Sequence, residues 1–385
     1  MTVLRLRPGT VRLLLVGAGH AHLEILRRLA LEPLGVTLTV VSWAPRHHYS
    51  GMVPGYLQGT YTEEQISVDV PRLVGRAGGR FLAGIAVAVD PARQTVRLAS
   101  GEELTYDLVS FAVGSNTAGA DAPEIAAHAL SIKPLARVAA LRERLLGLAR
   151  EDGERRVAIV GGGAAGVEVA FACARVLDTA GGIGGRGPRR LTIVESGPEI
   201  LAGYTGRFRA LARRLLAERG IEILTGRRAR AVHPREVELE GLHGGNEVPS
   251  DLTIWLTGAV AFPLFRGSGL PLDGRGFLLL DDALRSLADP RIFAVGDCGT
   301  LAHYPDTPKA GVYAVREAPI LWASLKATLD GVQPPSYRPQ AGFLSLLNTA
   351  DERALLEYKG QVAHGRWAFW WKDWLDRRFL ARYQR

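Results

Sequence analysis

Short apolar runs followed by glycine-rich turns recur along the chain and predict alternating strands and helices. The run VRLLLV at 11–16 indicates a buried strand, GAGHAH at 17–22 a turn, LEILRRLA a helix, and VTLTVV at 36–41 the next strand. The same order returns later as RVAIV, then GGGAAG at 161–166, VEVAFACARVL and LTIVE. Strand, glycine loop, helix and strand form the opening unit of a dinucleotide-binding fold. Two such units predict an α/β protein with two Rossmann-like dinucleotide-binding domains and a C-terminal segment.

The order of the remaining segments predicts that the two domains are interleaved. A later strand, IFAV, is expected to close the first domain. We therefore predict that residues 1–130 and 259–334 form the first dinucleotide-binding domain, and residues 131–258 the second. The Pro-rich stretch GVQPPSYRP at 331–339 is typical of a linker, so residues 335–385 are predicted to be a separate C-terminal segment with an amphipathic helix.

Composition excludes several classes of protein. Hydrophobic residues make up 47% and charged residues 22% of the 385, which is ordinary for a globular protein and excludes disorder as the main state. The two cysteines, Cys173 and Cys298, are too few and too far apart for a disulfide scaffold, a CxxC pair or a cysteine zinc site. No apolar run reaches the ~18 residues of a spanning helix. The first strand follows Met1 too closely for a secretory signal, so a reduced, cytoplasmic setting is expected.

The first glycine loop has the features of a phosphate site, with one departure. A glycine-rich turn before a helix offers free N–H groups and the helix dipole to a pyrophosphate, and Gly17 and Gly19 occupy the first two glycine positions. The third position, which usually lets the helix and strand pack closely, is His22. The alternatives are that His20 and His22 bind a metal, or that the turn binds nothing. No cysteine or carboxylate cluster accompanies the histidines, so no metal is predicted.

The second loop, Gly161-x-Gly163-x-x-Gly166, matches the dinucleotide fingerprint completely. Glu195 ends the strand that follows, where an acidic residue accepts hydrogen bonds from the ribose hydroxyls. A 2′-phosphate would be repelled by this carboxylate, so the pattern favours NADH over NADPH.

Neighbouring residues modify this assignment. Arg189 and Arg190 are close enough in sequence to reach a 2′-phosphate, although a solvated loop face is the more common role of such side chains. They end the insertion GGIGGRGPRR at 181–190, which lengthens the second unit. In the first unit Ser42 stands at the place of Glu195, and its hydroxyl would bind a ribose more weakly.

Several segments together carry a resemblance to a known family. They are VGAGHAHLEILRRL, HHYSGMVPGYLQG, YDLVSFAVGS, SIKPL, VGGGAAGVEVA, IWLTGAVA, IFAVGDC, PKAGVYAVREAP and, at the C-terminus, GRWAFWWKDWLDRRFLARY. On these segments the chain resembles the FAD-dependent pyridine nucleotide–disulfide oxidoreductase superfamily. Within it, the chain is similar to type II NADH dehydrogenases, to the related sulfide:quinone reductases, and to the flavoprotein branch that is also found fused to selenophosphate synthetase.

The resemblance implies non-covalent FAD in the first domain and NADH as co-substrate in the second. The implied FAD site takes residues from the first loop, from strand ends and from the helix after the GD dipeptide: Gly17, Gly19, His20, Ala21, His22, Ser42, Gly114, Asp297, Lys309, Gly311 and Val312. The implied NADH site is Gly161, Gly163, Gly166, Glu195 and Gly258. Tyr49, Met52 and Pro54 fall where relatives line the opposite flavin face, which the electron acceptor approaches.

Two residues are expected to take part in the chemistry. Glu168 falls on the carboxylate that lies near nicotinamide and flavin in type II NADH dehydrogenases, and Lys309 falls near the isoalloxazine. The alternative for Glu168 is an ordinary carboxylate in the first turn of a helix. The implied reaction is hydride transfer from NADH to flavin N5, followed by electron transfer to a quinone or another small acceptor.

Two departures from the family concern that acceptor. Sulfide:quinone reductases use a cysteine pair beside the flavin, and neither Cys173 nor Cys298 has such a position. The glutamine motif at the quinone site of type II NADH dehydrogenases is absent, because residues 310–315 are AGVYAV. One alternative is therefore reduction of a soluble acceptor, such as a selenium or sulfur compound or a small redox protein. A flavin redox sensor with little turnover is another.

Residues 366–385 combine tryptophans with positive charge. Four of the seven Trp residues, Trp367, Trp370, Trp371 and Trp374, fall on one arc of a predicted helix. The segment has six basic and two acidic side chains, which is half of the net charge of +8. This favours peripheral attachment to the inner face of the cell membrane rather than nucleic-acid binding. The alternative is that the Trp cluster packs on the body of the protein or in a homodimer.

Overall fold

A computed structural model of the chain describes residues 10–179, 187–241 and 246–384. Two five-stranded sheets lie at its centre, and every strand pair within them is parallel. Parallel sheets need crossover connections that cover their faces, so these strands are nearly continuous apolar runs. The predicted α/β class with Rossmann-like sheets is confirmed.

The first sheet contains the first glycine-loop unit and takes one strand from much later in the chain. In spatial order its strands are Ile292–Ala294, Leu108–Phe111, Arg12–Val16, Thr37–Ser42 and Arg80–Ala83. The chain therefore returns to the first sheet after it has completed the second.

The second sheet contains the second glycine-loop unit. In spatial order its strands are Ala129–Ser131, Leu252–Trp255, Arg155–Val160, Arg189–Val194 and Ile221–Leu224. Its first strand in the chain begins at Ala129, two residues before the predicted start of the second domain at 131. Residues 181–186 of the insertion at 181–190 lie outside the described residues.

The longer helices cover the sheets or follow the glycine loops. His20–Leu31 and Ala164–Thr179 begin directly after the two loops. The other α-helices are Val53–Leu57, Glu63–Ile66, Val70–Arg76, Pro123–Ala126, Val138–Leu148, Gly206–Glu218, Gly311–Leu329 and Arg366–Gln384.

Small sheets complete the two domains. The three-stranded antiparallel ones are Ala86–Asp90 with Thr95–Leu98 and Glu103–Thr105, and Ala229–His233 with Glu236–Leu239 and Glu247–Pro249. The two-stranded ones are Arg46–His48 with Ser67–Asp69, Asn116–Thr117 with Ala259–Val260, and Leu278–Leu280 with Gly299–Leu301.

The C-terminal segment packs into the main body rather than standing apart, which corrects the expectation of a separate segment. It forms an antiparallel sheet of Ser345–Asn348, Ala354–Tyr358 and Gln361–Gly365. The helix Arg366–Gln384, called the C-terminal helix below, follows this sheet. Leu355 of the sheet and Leu380 of the helix are buried in the same hydrophobic cluster as the first strands of the chain. The predicted linker is also anchored, since the N–H of Tyr337 donates to the carbonyl of Asp282 at 2.6 Å.

None of the helices in the described parts of the chain is both long enough and apolar enough to cross a bilayer.

Candidate functional site: a cleft shared by two glycine loops

The carboxyl ends of both parallel sheets open into one cleft of about 1650 Å³. Ligands of open α/β sheets bind at this edge. Both glycine loops line the cleft, and the inner face of the C-terminal helix forms part of its wall. The two predicted dinucleotide sites and the predicted acceptor side therefore belong to one continuous space.

Gly17 and Gly19 hold the first loop against the end of a neighbouring strand. Gly17 has a φ of +85°, and a Cβ at either glycine would lie 2.6 Å from the carbonyl oxygen of Ala112. The Gly19 N–H donates to that oxygen at 3.1 Å. Larger residues cannot take this conformation and spacing. His20 and Ala21, which begin the following helix, line the cleft as well.

His22 lies beneath the first loop and does not line the cleft, contrary to its predicted contact with FAD. It is fully buried. Its Nδ1 lies 2.5 Å from the carbonyl oxygen of Gly17, and its Nε2 lies 2.9 Å from the hydroxyl of Ser110. The histidine that stands in place of the usual third glycine thus fastens the loop to the sheet through both ring nitrogens. A metal bound by His20 and His22 is incompatible with this arrangement, and no cluster of three potential ligands occurs among the described residues.

Ser42 lines the cleft where the second strand of the first sheet ends, and apolar side chains surround it. Trp43 is 47% exposed and Ile85 is 56% exposed, and both face the cleft. Flat apolar surface beside the predicted ribose position is what an adenine ring would cover.

Asp297 lines the cleft within a set of hydrogen-bond donors. Its carboxylate accepts hydrogen bonds from the Ser115 hydroxyl at 2.7 Å and from the Lys133 ammonium at 2.8 Å. Burial alone would raise the pKa of Asp297, but Lys133 and Ser115 outweigh burial and hold the pKa below its usual value. Asp297 is therefore an oriented, charged hydrogen-bond acceptor. Gly114, with a φ of +74°, lies on the same wall with open space beside it.

Lys309, Gly311 and Val312 line the cleft at the start of the helix Gly311–Leu329. The Lys309 ammonium donates to the Gly299 carbonyl and, at 2.9 Å, to the Thr300 hydroxyl. Burial lowers the pKa of Lys309. Its head group is thus tied to the neighbouring loop and supplies positive charge to the wall from a fixed position.

The second loop is packed as closely as the first. Gly161 has a φ of +117°, and a Cβ there would overlap the Leu256 carbonyl. A Cβ on Gly166 would overlap the carbonyl of Gly161, which explains why the helix can lie so close to the strand. Gly163 and Gly258 have open space where a Cβ would be, and both line the cleft.

Glu195 lines the cleft at the end of its strand, held in place by the loop. Its carboxylate accepts N–H groups from Gly162 and Gly197, each at 2.7 Å. Arg189 and Arg190 start the same strand and lie at the opposite edge of the sheet. They pair there with Asp178 at 2.5 Å and Glu222 at 3.4 Å. Arg190 is half exposed, whereas Arg189 is largely buried in its ion pair, and neither lies at the end of the strand that carries Glu195.

The predicted acceptor side is only partly in the cleft. Tyr49 lines it, together with Ser50 and Gly51. Met52 and Pro54 do not line it, because both are buried in the short helical segments that follow. Their sequence neighbours therefore form this part of the wall.

Glu168 lines the cleft on the helix after the second loop. Its carboxylate accepts the N–H of Asn348 at 2.7 Å. Burial raises the pKa of Glu168 to about 7, although Lys372 and the Asn348 N–H oppose the rise. A carboxyl group with this pKa can hold or release a proton near neutral pH.

The C-terminal helix adds a buried ion pair beside Glu168. The Lys372 ammonium donates to Asp376 at 2.8 Å and to the Gly51 carbonyl at 2.6 Å. Asp376 also accepts the Tyr49 hydroxyl at 3.2 Å, and both charged side chains of the pair line the cleft. Burial alone would lower the pKa of Lys372, but Asp376 and Glu168 raise it. Lys372 therefore keeps its charge, and the pair ties the helix to Tyr49 and Gly51 of the first domain.

A protein-family comparison matches residues 11–318 to the pyridine nucleotide-disulphide oxidoreductase model. The chain belongs to this family. Of its relatives, demethylphylloquinone reductase NdbB of Synechocystis sp. is 31% identical over 251 residues, which are 63% of this chain and 60% of the relative. The chain thus spans less than two thirds of that relative's length. NADH dehydrogenase-like protein YutJ of Bacillus subtilis is 22% identical over 345 residues, 89% of this chain and 91% of the relative.

Solved structures show the same fold. The sulfide:quinone oxidoreductase of Aquifex aeolicus has a TM-score of 0.82 at 20% identity, covering 97% of this chain and 92% of that chain. NDH2 from Plasmodium falciparum in complex with NADH has a TM-score of 0.80 at 16% identity, covering 97% and 98%.

This member of the family is an FAD-dependent pyridine nucleotide oxidoreductase, and the residues of its first loop fit the cofactor. The glycine cradle leaves no room for side chains. The His20 Nε2 atom is buried and has no hydrogen-bond partner among the described residues. Burial lowers the pKa of His20 to about 4, so the imidazole is neutral. A neutral ring nitrogen and the exposed apolar surface of Trp43 both suit a dinucleotide.

The cysteines of this oxidoreductase are buried and unpaired, despite the family's name. Burial raises the pKa of Cys173 to about 12 and that of Cys298 to about 11. Thiols with such pKa values are poor nucleophiles. This agrees with the expectation that no cysteine pair lies beside the flavin.

Sequence reasoning missed several residues of the cleft. Lys133 lies in the SIKPL segment, but nothing in that segment predicts its ion pair with Asp297. Lys372 and Asp376 have the four-residue spacing of a helical ion pair, which was a usable signal. Trp43 follows Ser42 directly, but nothing in the sequence pattern indicates that its ring faces the cleft.

Proposed function

We propose that this enzyme oxidises NADH and passes the electrons to a quinone at a membrane surface. The observation that carries the proposal is the course of the cleft, which runs from both glycine loops to the inner face of the C-terminal helix. That helix exposes four tryptophans on its other side. The quinone-reductase name of the Synechocystis relative and the NADH dehydrogenase-like name of the Bacillus relative support the same function.

Bound FAD supplies the redox chemistry, by taking a hydride from nicotinamide and yielding two electrons to an acceptor. The protein positions the reactants. The second glycine loop and the first turn of its helix bind the pyrophosphate of NADH, and Glu195 orients the ribose. The donors around Asp297 fix that carboxylate as an acceptor for the FAD hydroxyls, while Lys309 holds positive charge near the cofactor.

The wall formed by the C-terminal segment suits a hydrophobic ring. Leu346, Leu375 and Phe379 line the cleft there, beside Tyr49. The Phe379 and Tyr49 rings lie 4.8 Å apart between centroids. Apolar side chains exclude water, and Glu168 provides one group that can donate a proton to an oxygen of the reduced acceptor.

A steady-state acceptor screen tests the proposed function. We expect NADH oxidation to be fast with ubiquinone and menaquinone analogues, and slow with polysulfide, selenite or a small redox protein. Turnover with only the sulfur, selenium or protein acceptors would show that the enzyme reduces a soluble acceptor and not a quinone. Reduction of the flavin without sustained turnover by any acceptor would favour a redox sensor.

The outer face of the C-terminal helix supports attachment to the inner face of the cell membrane. Its Trp rings are 40% to 61% exposed, so they do not pack on the body of the protein. Trp side chains prefer the interface between headgroups and acyl chains, and neighbouring basic residues contribute about 1 kcal/mol each near anionic lipid. Deleting the helix would not test this attachment cleanly, because Lys372 and Asp376 on its inner face line the cleft.

We therefore expect Trp370→Ser/Trp374→Ser to lower binding to anionic liposomes at least tenfold, since each buried aromatic ring contributes roughly 1.5–3 kcal/mol. Bound FAD and turnover with water-soluble quinones should be unchanged. The matched control is Leu287→Ser/Val332→Ser, which removes two exposed apolar side chains elsewhere. Unchanged liposome binding together with a change from dimer to monomer would identify the Trp face as a homodimer interface instead.

A further inference from the structure

We propose that Arg227 and Arg228 bind the 2′-phosphate of NADPH, so that this enzyme accepts NADPH as a second reductant beside NADH. The inference rests on the proposed function, because it concerns the reductant of the same site. Both arginines follow the strand Ile221–Leu224 and line the cleft together with Glu195.

The position of Arg227 points to the ribose rather than to the pyrophosphate. Its backbone N–H donates to the carbonyl of Glu195 at 3.0 Å, so the two residues are direct neighbours across adjacent strand ends. Glu195 marks the ribose end of the nucleotide. The pyrophosphate has its own site at the second glycine loop, on the N-terminus of the helix Ala164–Thr179.

The charges beside the ribose favour an anion. The Glu195 carboxylate already accepts two backbone N–H groups at 2.7 Å, one at each oxygen, which offset part of its repulsion. The Arg227 guanidinium faces an uncharged partner, the Asn246 amide oxygen, at 3.5 Å. Arg228 has a carboxylate partner in Glu240, but at 3.6 Å and with both side chains more than half exposed. Such a long, exposed pair is weak and leaves the guanidinium available to a ligand.

Guanidinium groups match phosphate oxygens with paired, charge-assisted hydrogen bonds. Two of them beside one hydrogen-bonded carboxylate give the ribose pocket a net attraction for a 2′-phosphate. NADH retains its contacts with Glu195, so neither nucleotide is excluded. This arrangement relaxes the preference for NADH that Glu195 alone would impose.

Anaerobic flavin reduction, followed at the flavin absorbance band without any acceptor, tests the inference. We expect NADPH to reduce the flavin of the wild type with a second-order rate constant within about tenfold of that for NADH. Arg227→Ala/Arg228→Ala should lower the NADPH constant roughly tenfold to a hundredfold and change the NADH constant less than threefold. Arg230→Ala is the control, because Arg230 is exposed and pairs with Glu238 outside this cleft.

A second arm measures binding alone by calorimetry, with 2′,5′-ADP and 5′-AMP as probes. The wild type should bind 2′,5′-ADP more tightly, the difference should shrink with added salt, and the double variant should lose it. If the double variant lost affinity for 2′,5′-ADP and 5′-AMP equally, the arginines would lie on the phosphate that both probes share, and the inference would be overturned. It would also be overturned if NADPH did not reduce the flavin of the wild type. If the wild type bound 2′,5′-ADP more tightly but neither NADH nor NADPH reduced its flavin, the phosphate site would be supported and the proposed function would not.

Discussion

Replacing Lys372 with Met should lower the free energy of unfolding by about 3–5 kcal/mol, because the substitution leaves the buried Asp376 without its cationic partner. Both side chains of the pair are only 9% exposed. The loss also removes the Lys372 hydrogen bond to the Gly51 carbonyl, which fastens the C-terminal helix to the first domain. Urea unfolding of the FAD-loaded protein, followed by circular dichroism and by flavin fluorescence, measures the change.

Two controls separate the buried charge from the loss of a long side chain. Lys372→Met/Asp376→Leu removes both charges and should recover most of the stability, since buried ion pairs are often replaceable by apolar pairs. Arg377→Met breaks a pair with the same four-residue spacing on the same helix, but Arg377 is 48% exposed. It should cost about 1 kcal/mol or less. If Lys372→Met were as mild as Arg377→Met, the buried pair would not be what holds the helix on the body.

The glycine loops could be predicted from the sequence because local backbone requirements determine them. Gly17 and Gly161 both have a positive φ, and their neighbours approach too closely for any Cβ. Such constraints are visible in a short stretch of sequence. The apolar runs before each loop are equally local, and they became the central strands of the two parallel sheets.

The C-terminal helix shows where the hydrophobic pattern misleads. Apolar periodicity usually marks the buried side of a helix, yet Trp370 and Trp374 point outward while Lys372 and Asp376 lie inside. The inner face can be charged because the two charges neutralise each other and are further hydrogen-bonded. A hydrophobicity pattern alone cannot distinguish such a buried ion pair from an exposed ion pair with the same spacing.

Other contacts depend on distant parts of the chain. Lys133 and Asp297 are 164 positions apart and meet only because the first sheet receives its last strand so late. Arg190 is nearer to Glu195 in sequence than Arg227 is, yet a strand separates the first two and a backbone hydrogen bond joins the last two. Sequence distance alone therefore does not show which arginines lie beside Glu195.

Glu168→Gln should lower quinone-dependent turnover by about 10²- to 10⁴-fold, the usual range for removing a positioned acid. Gln has the same shape and can still accept the Asn348 N–H, so the helix and the strand Ser345–Asn348 should keep their places. What the variant cannot do is release a proton. Anaerobic flavin reduction by NADH, which needs no such proton, should change little and serves as the internal control.

The pH dependence of quinone-dependent turnover tests whether Glu168 acts as the proton donor. Burial raises the pKa of Glu168 to about 7, so the group is protonated and able to donate below that pH and is ionised above it. Turnover of the wild type with quinone should therefore fall as the pH rises through about 7. The residual turnover of Glu168→Gln should not show this fall. In the double variant Lys372→Met/Asp376→Leu, the Lys372 charge that opposes the rise is gone, and so is the Asp376 charge that adds to it. Because Lys372 has a larger influence on the pKa of Glu168 than Asp376 has, the fall in turnover should move to higher pH. If Glu168→Gln kept full turnover with the same pH dependence as the wild type, Glu168 would only anchor the Asn348 backbone, and the acceptor would take its proton from water.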